Sequence, residues 1–153
     1  MSVSVGIGYD SHPLVEGERL VLGGVEIEHE RGLAGHSDAD VLTHAVIDAV
    51  LGAAGLGDIG TLFPDSEERW RNADSIDMLR TALGQVSGRV LNVDATLICE
   101  QPRVGPHRAE MERHLAEVLS ARVSVKATGN EGMGFIGRGE GIACVAVVAL
   151  ESD

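Results

Sequence analysis

Gly141-Ile-Ala-Cys-Val-Ala-Val-Val-Ala-Leu150 decides the fold. In an extended segment alternate side chains take opposite faces. Ile142, Cys144, Ala146, Val148 and Leu150 therefore share one face, and Ala143, Val145, Val147 and Ala149 the other. Both faces are apolar, so both must be covered. The rest of the chain offers three helices, enough for one face of a small sheet but hardly for two. The second face is then buried against partner subunits; the competing reading, a central strand in a larger monomer, needs more chain than 153 residues.

The neighbouring elements follow from pattern. Val3 to Tyr9 is rich in Val and Ile and reads as a strand. Leu20 to Ile27 reads as a hairpin turning on Gly23-Gly24. Arg89 to Cys99 alternates Val93, Ala95 and Leu97 against Asp94 and Thr96, and Arg122 to Thr128 is a further strand. Ser37 is expected to cap a helix, with Asp38 and Asp40 at its positive end and Val41, Ala45, Ala49 and Ala53 along it. Asp74-Ser75 open a second helix to about Val86, and Pro106 suits the first turn of a third, to about Ala121. Gly57 to Ala73 is polar and longer than most connections, which marks a functional loop. The glycine-dense run Gly129 to Gly139 reads as a loop, and Gly137-x-Gly-x-Gly as a bend, because no helix follows it as a dinucleotide fingerprint requires. The expected fold is α+β: one domain over residues 1–153, with a small, mixed, mainly antiparallel four-stranded sheet and its helices on one face.

Composition excludes several functions. Apolar residues make up 44% of the chain, too many for disorder. No apolar stretch reaches membrane-span length, and the N-terminus lacks the basic flank of a signal peptide, so a cytoplasmic location is expected. Cys99 and Cys144 fall in apolar runs and read as reduced core thiols. The net charge of -12 and the lack of a basic cluster argue against nucleic acid and anionic membranes as partners. A phosphate-ester ligand would need positive charge supplied locally, by metal ions, a few placed Arg or Lys, or backbone N–H groups.

Metal-type side chains recur where local structure does not call for them. Asp10 and His12 lie two apart at the end of a strand and can point at one target. His44 follows on the first helix, on the face it shares with Asp40 and Asp48. One carboxylate and two imidazoles suit a catalytic zinc that keeps its fourth position open. Taken singly, the same residues are an ordinary Asp-x-His pair and a core-edge histidine. What joins them is the expectation that Asp40 and Asp48 hydrogen-bond the second nitrogen of His44. His29, His107 and His114 sit in polar stretches and read as solvated.

An ordered set of motifs runs through the chain: Asp10-x-His12, Gly32-Leu-x-x-His36-Ser37-Asp38-x-Asp40-x-x-x-His44, Gly57-Asp-Ile-Gly-x-x-Phe63-Pro64-Asp65, Lys126-Ala-Thr128 and Gly137-Arg-Gly-Glu-Gly-Ile-Ala143. The set closely resembles the 2-C-methyl-D-erythritol 2,4-cyclodiphosphate synthase family of the non-mevalonate isoprenoid pathway. The resemblance implies a phosphorus–oxygen lyase acting on 4-diphosphocytidyl-2-C-methyl-D-erythritol 2-phosphate. The 2-phosphate attacks the β-phosphorus of the diphosphate, CMP leaves and a cyclic diphosphate forms. It also implies a homotrimer of ferredoxin-like kinship, similar to bacterial chorismate mutase, with active sites between subunits.

By the same resemblance, Asp10, His12 and His44 match zinc ligands, and Glu131 the ligand of a second ion, Mg²⁺ or Mn²⁺. His36 matches a catalytic residue beside the reacting phosphates; Ser11 and Ser37 match substrate contacts. Asp58, Ile59 and Gly60, with Phe63, Pro64 and Asp65, match the part that holds the erythritol unit. Cys99, Pro102, Arg103 and Gly105, with Ala127 and Thr128, match the cytidine pocket. Phe135 and Arg138 match the lining of a trimer-axis cavity where isoprenoid diphosphates bind in relatives. Many relatives read Lys-Ala-Thr-Thr where this chain has Lys126-Ala-Thr-Gly129. The second threonine is treated there as a transition-state stabiliser, so Gly129 matches in position only and could serve through its backbone N–H.

Plainer readings stand beside these. Asp58 could be a turn residue, and Arg138 with Glu140 an ion pair. Two other functions fit the same residues: a trimeric sensor of phosphorylated metabolites without turnover, and a zinc-dependent phosphoester hydrolase.

Overall fold

The computed structural model describes residues 1–153. The long strand β1 (Ser2–Glu16) is followed by three short ones, β2 (Leu20–Leu22), β3 (Val25–Ile27) and β4 (Arg31–Leu33). Helix α1 (Val41–Ala53), the single turn α2 (Ile59–Leu62) and α3 (Ser75–Leu83) come next. Strand β5 (Arg89–Ile98), α4 (Arg108–Leu119), β6 (Arg122–Thr128), the short α5 (Gly134–Gly137) and β7 (Gly141–Ser152) complete the chain. The main sheet has five strands in the order β4-β1-β7-β5-β6, where four were expected. The addition is β4, which pairs antiparallel with the end of β1 through Leu14–Leu33 and Glu16–Arg31. All pairings are antiparallel except β5 with β6. The hairpin β2–β3 turns on Gly23-Gly24 as expected and forms its own ribbon.

The β7 alternation holds: Ile142, Cys144, Ala146, Val148 and Leu150 are all buried beneath the helices. Helix α1 buries eleven of its thirteen residues, as befits a helix enclosed on all sides. It approaches the sheet closely because Gly6 and Gly8 face it; a Cβ on either would overlap the carbonyl oxygens of Ala49 and Ala45. Helix α3 presents Ser75, Met78, Leu79 and Ala82 to the core, and α4 presents Met111, Leu115 and Leu119, both at helical spacing. The other face of the sheet has no cover within the chain. Val3, Val5, Ile7 and Tyr9 are 59%, 69%, 69% and 55% exposed, and Val147 beside them is 39% exposed.

Helix α1 starts at Val41, not Ser37, and Asp40 is its cap. Ala39 adopts a left-handed φ of 57°, which breaks any helix running from Ser37. The carboxylate of Asp40, fully buried, accepts hydrogen bonds from the Gly23 and Gly24 amides (both 2.9 Å), the Thr43 amide (2.9 Å) and hydroxyl (2.8 Å), and the Ser75 hydroxyl (2.7 Å). One side chain thus ties hairpin, α1 and α3 together. The loop Gly57 to Ala73 contains α2 and a 3₁₀ turn at Glu68–Trp70. Cys99 and Cys144 are free and buried, as expected. His29, expected to be solvated, is half-buried, and its Nε2 is sequestered without a hydrogen-bond partner.

Candidate active site

Gly6, Gly8, Asp10 and His12 occupy successive positions on the helix-facing side of β1. The glycines let α1 settle onto the strand, and the same contact carries His44, one residue before Ala45, up to Asp10. His44 Nδ1 lies 3.2 Å from Asp10 Oδ2, and His12 Nε2 lies 3.0 Å from the same oxygen. One donor atom from each of Asp10, His12 and His44 falls within 4.8 Å of the others, the only such group of His, Cys, Asp or Glu in the structure.

The chemistry of these atoms fits a cation. His12 Nε2 is buried yet makes no hydrogen bond, despite its closeness to Asp10. Such an orphaned nitrogen is costly unless it has an electrophile to meet. Burial pushes the Asp10 carboxyl up, but the His44 hydrogen bond and the close approach of the His12 and His44 rings outweigh it and hold it below its ordinary 3.8. Burial works against a charged His44, yet the Asp10 hydrogen bond and the charges of Asp40, Asp10 and Asp38 raise it above 6.5. Two rings drawn toward one carboxylate leave a site that a divalent ion can take over from protons.

The second nitrogen of His44 does not bond Asp40 or Asp48, contrary to expectation. Its Nε2 is 3.0 Å from Ser37 Oγ and 3.9 Å from Asp38. Asp40 is occupied with the hairpin amides, and Asp48 accepts from the Ile59 amide at 3.1 Å, which fastens α2 to α1.

The three residues open into a cavity of about 350 Å³ that His36, Ser37, Ile59, Gly60, Phe63 and Asp65 also line. Pro64 flanks it, half-buried. Asp58 is exposed and caps α2, accepting from the Thr61 amide (2.9 Å) and hydroxyl (2.8 Å), so the turn role holds. Those bonds draw its carboxyl below the ordinary 3.8. Trp70 and Met78 also line the cavity and escaped the sequence reading. Trp70, the only tryptophan of an aromatic-poor chain, was the available signal. It packs edge-on against Phe63 with ring centroids 4.6 Å apart.

The other expected residues lie elsewhere. Cys99, Pro102, Arg103 and Gly105 join Ala127, Thr128 and Gly129 around a separate opening of about 460 Å³, where β5 and β6 end side by side. Ser11, His12 and Phe135 share a third, of about 230 Å³. Glu131 and Arg138 are exposed on the loop between β6 and β7, and Arg138 pairs with Glu140 at 2.7 Å. Within one chain, none of the residues around the β5–β6 opening reaches the His44 cavity.

Fold and donor set together place a group able to hold a metal ion on an α+β scaffold. The YgbB family model matches residues 3–151, and the chain belongs to that family. The 2-C-methyl-D-erythritol 2,4-cyclodiphosphate synthase of Rubrobacter xylanophilus is 58% identical to it, over 96% of this chain and 94% of the relative. Among solved structures, a 2C-methyl-D-erythritol-2,4-cyclodiphosphate synthase in its CDP-bound form superimposes with a TM-score of 0.85 at 36% identity, covering 96% of this chain and 99% of that one. The bifunctional IspDF of Campylobacter jejuni gives a TM-score of 0.94 at 39% identity over 99% of this chain, which spans 43% of that longer protein. No helix is long and apolar enough to cross a membrane.

Proposed function

We propose that residues 1–153 form one cyclodiphosphate synthase domain that converts 4-diphosphocytidyl-2-C-methyl-D-erythritol 2-phosphate to 2-C-methyl-D-erythritol 2,4-cyclodiphosphate and CMP. The convergence of Asp10, His12 and His44 in a cavity also lined by His36 and Ser37 carries this reading. Full-length similarity to synthases of that name supports it.

The reaction is a phosphoryl transfer within one substrate: a 2-phosphate oxygen attacks the β-phosphorus, the bond to the CMP oxygen breaks, and CMP carries away the electron pair. Such a step asks a protein chiefly to position groups and neutralise charge. Zinc held by Asp10, His12 and His44, and Mg²⁺ or Mn²⁺ at Glu131, would supply that neutralisation and polarise phosphoryl oxygens. The chain's own residues do the rest. Ser37 orients His44 through its Nε2. His36, beside the reacting phosphates, donates to equatorial oxygens as their charge grows. The α2 segment, with Ile59 and Gly60 and the Phe63–Asp65 turn, holds the erythritol unit and keeps water from the phosphorus. Cys99, Pro102, Arg103 and Gly105, with Ala127 and Thr128, hold the cytidine. Gly129 lacks the family hydroxyl and acts through its N–H.

A homotrimer of ferredoxin-like kinship is part of the same reading. The uncovered face of Val3, Val5, Ile7 and Tyr9 supports it, as does the separation of the His44 cavity from the β5–β6 opening in one chain. A neighbouring subunit would bring its opening to this cavity and complete each site. Phe135 and Arg138 would line the central space, within reach of an isoprenoid diphosphate. A cytoplasmic location is consistent with two unpaired thiols.

Phosphorus NMR of the products tests the function. CMP with a cyclic diphosphate is expected. CMP with a linear monoester would make the protein a hydrolase, and no turnover a sensor.

A further inference from the structure

We infer that Glu100 is the positioning residue for Glu131: its carboxylate clamps the backbone on both sides of that residue and so fixes where the Glu131 side chain projects. The inference rests on the reading of Glu131 as the ligand of the second ion and deepens it.

Glu100 stands just past the end of β5, half-buried, where β6 ends beside it. One oxygen, Oε1, accepts from the Asn130 amide at 2.6 Å and from the Gly132 amide at 3.3 Å. The residue between those two amides is Glu131, whose φ of 55° is left-handed. An L residue takes that conformation only where its surroundings impose it. Two N–H groups converging on one carboxylate oxygen are such an imposition, because successive amides can aim at a single anion only when the backbone curls back on itself. Glu131 itself is exposed, and it belongs to no group of three or more His, Cys, Asp or Glu side chains that could hold an ion. Its ability to meet an ion therefore depends on the turn that presents it.

Two glycines pack close to this turn. A Cβ on Gly129 would stand 3.4 Å from Glu100 Oε2 and 3.5 Å from Oε1, an ordinary contact that places the carboxylate directly beside this position. Gly137 packs so closely behind Gly132 that a Cβ would overlap the Gly132 carbonyl carbon. A competing account is that Asn130 alone holds the turn, since its side chain donates to the Met133 carbonyl at 2.8 Å.

The test compares Glu100→Ala, Glu100→Gln and Glu131→Ala in the full-length protein. It reads amide hydrogen exchange at Asn130 and Gly132 without substrate, and Mn²⁺ binding by electron paramagnetic resonance in the presence of CDP. Glu100→Ala should speed both amides and weaken Mn²⁺ by about ten-fold, with bound zinc unchanged. Glu100→Gln keeps an acceptor oxygen and should stay within about three-fold of the parent in both readouts. Glu100→Gln behaving like Glu100→Ala would mean that the charge itself matters, as for a direct ion ligand, and would overturn the positioning role. Unchanged exchange and Mn²⁺ affinity in Glu100→Ala, with Mn²⁺ lost in Glu131→Ala, would give the turn to Asn130 and leave the Glu131 reading intact. Unchanged Mn²⁺ binding in Glu131→Ala would remove that reading, and this inference with it.

Discussion

The Ala45 carbonyl oxygen rests against the Cα of Gly8, with no room for a side chain between them. This backbone contact sets the height of α1 above β1, and with it the 3.2 Å approach of His44 to Asp10. Gly8→Ala must lift the helix, at a cost on the order of 3 kcal/mol. We expect a lower midpoint in urea and weaker zinc binding in the refolded variant. Zinc affinity equal to the parent's would separate the helix contact from the alignment of the ligands.

Asp40 should matter to stability more than to chemistry. Removing its carboxylate in Asp40→Ala strands the donors of Gly23, Gly24, Thr43 and Ser75, at a cost of at least about 3 kcal/mol. Asp40→Asn retains an acceptor and should cost less. Urea unfolding of both variants checks the order; equal losses would point to charge rather than to hydrogen bonding.

In the metal-free protein the Asp10–His44 pair makes stability depend on pH. His44 is raised above 6.5, so its share is complete below 6.5 and fades as pH rises through the folded value. Asp10 is held below 3.8, so its share is complete above 3.8 and fades as pH falls through the folded value. The stability difference between the zinc-free parent and His44→Gln should be largest between pH 3.8 and 6.5 and shrink above. A difference that does not shrink as the pH rises above 6.5 would show that the pair does not form without metal. Because zinc displaces protons from the same ring, its affinity should climb with pH over the interval where the pair fades.

The outer sheet face carries a prediction about assembly. Ile7 is 69% exposed in the single chain, at the centre of the patch formed with Val5, Tyr9 and Val147. Ile7→Lys places a charge there without touching the core. Light scattering should then report a monomer with intact secondary structure and little turnover. A trimer unaffected by Ile7→Lys would send the interface elsewhere.

Several elements could be read from sequence because their signals are local. The β7 alternation, the Gly23-Gly24 turn and the Asp74 cap of α3 each lie within a few residues. Asp10 and His12 were legible for the same reason. The start of α1 was not. Ser37, Asp38 and Asp40 all look like caps, and what selects Asp40 is a hairpin seventeen residues away that needs its carboxylate. The partner of His44 differs from the i±4 reading because Asp40 is taken by the hairpin amides and Asp48 by the Ile59 amide, while Ser37 folds back over the ring from outside the helix. The strand β4 has three residues and a glycine at its centre, too short for any alternation. Glu100 reaches its amides thirty residues along the chain, where no periodicity could point.

One face of β1 reads Gly6, Gly8, Asp10, His12, and the opposite face Val3, Val5, Ile7, Tyr9. A deletion or insertion of one residue near the start of this strand would exchange the two sets. Bulky side chains would be driven into α1, while the acid and the imidazole would turn outward to the uncovered apolar face. Scaffold, chemistry and the apolar outer face are therefore written into the phase of a single strand. No frame-shifted version of it could lose one of the three and keep the others.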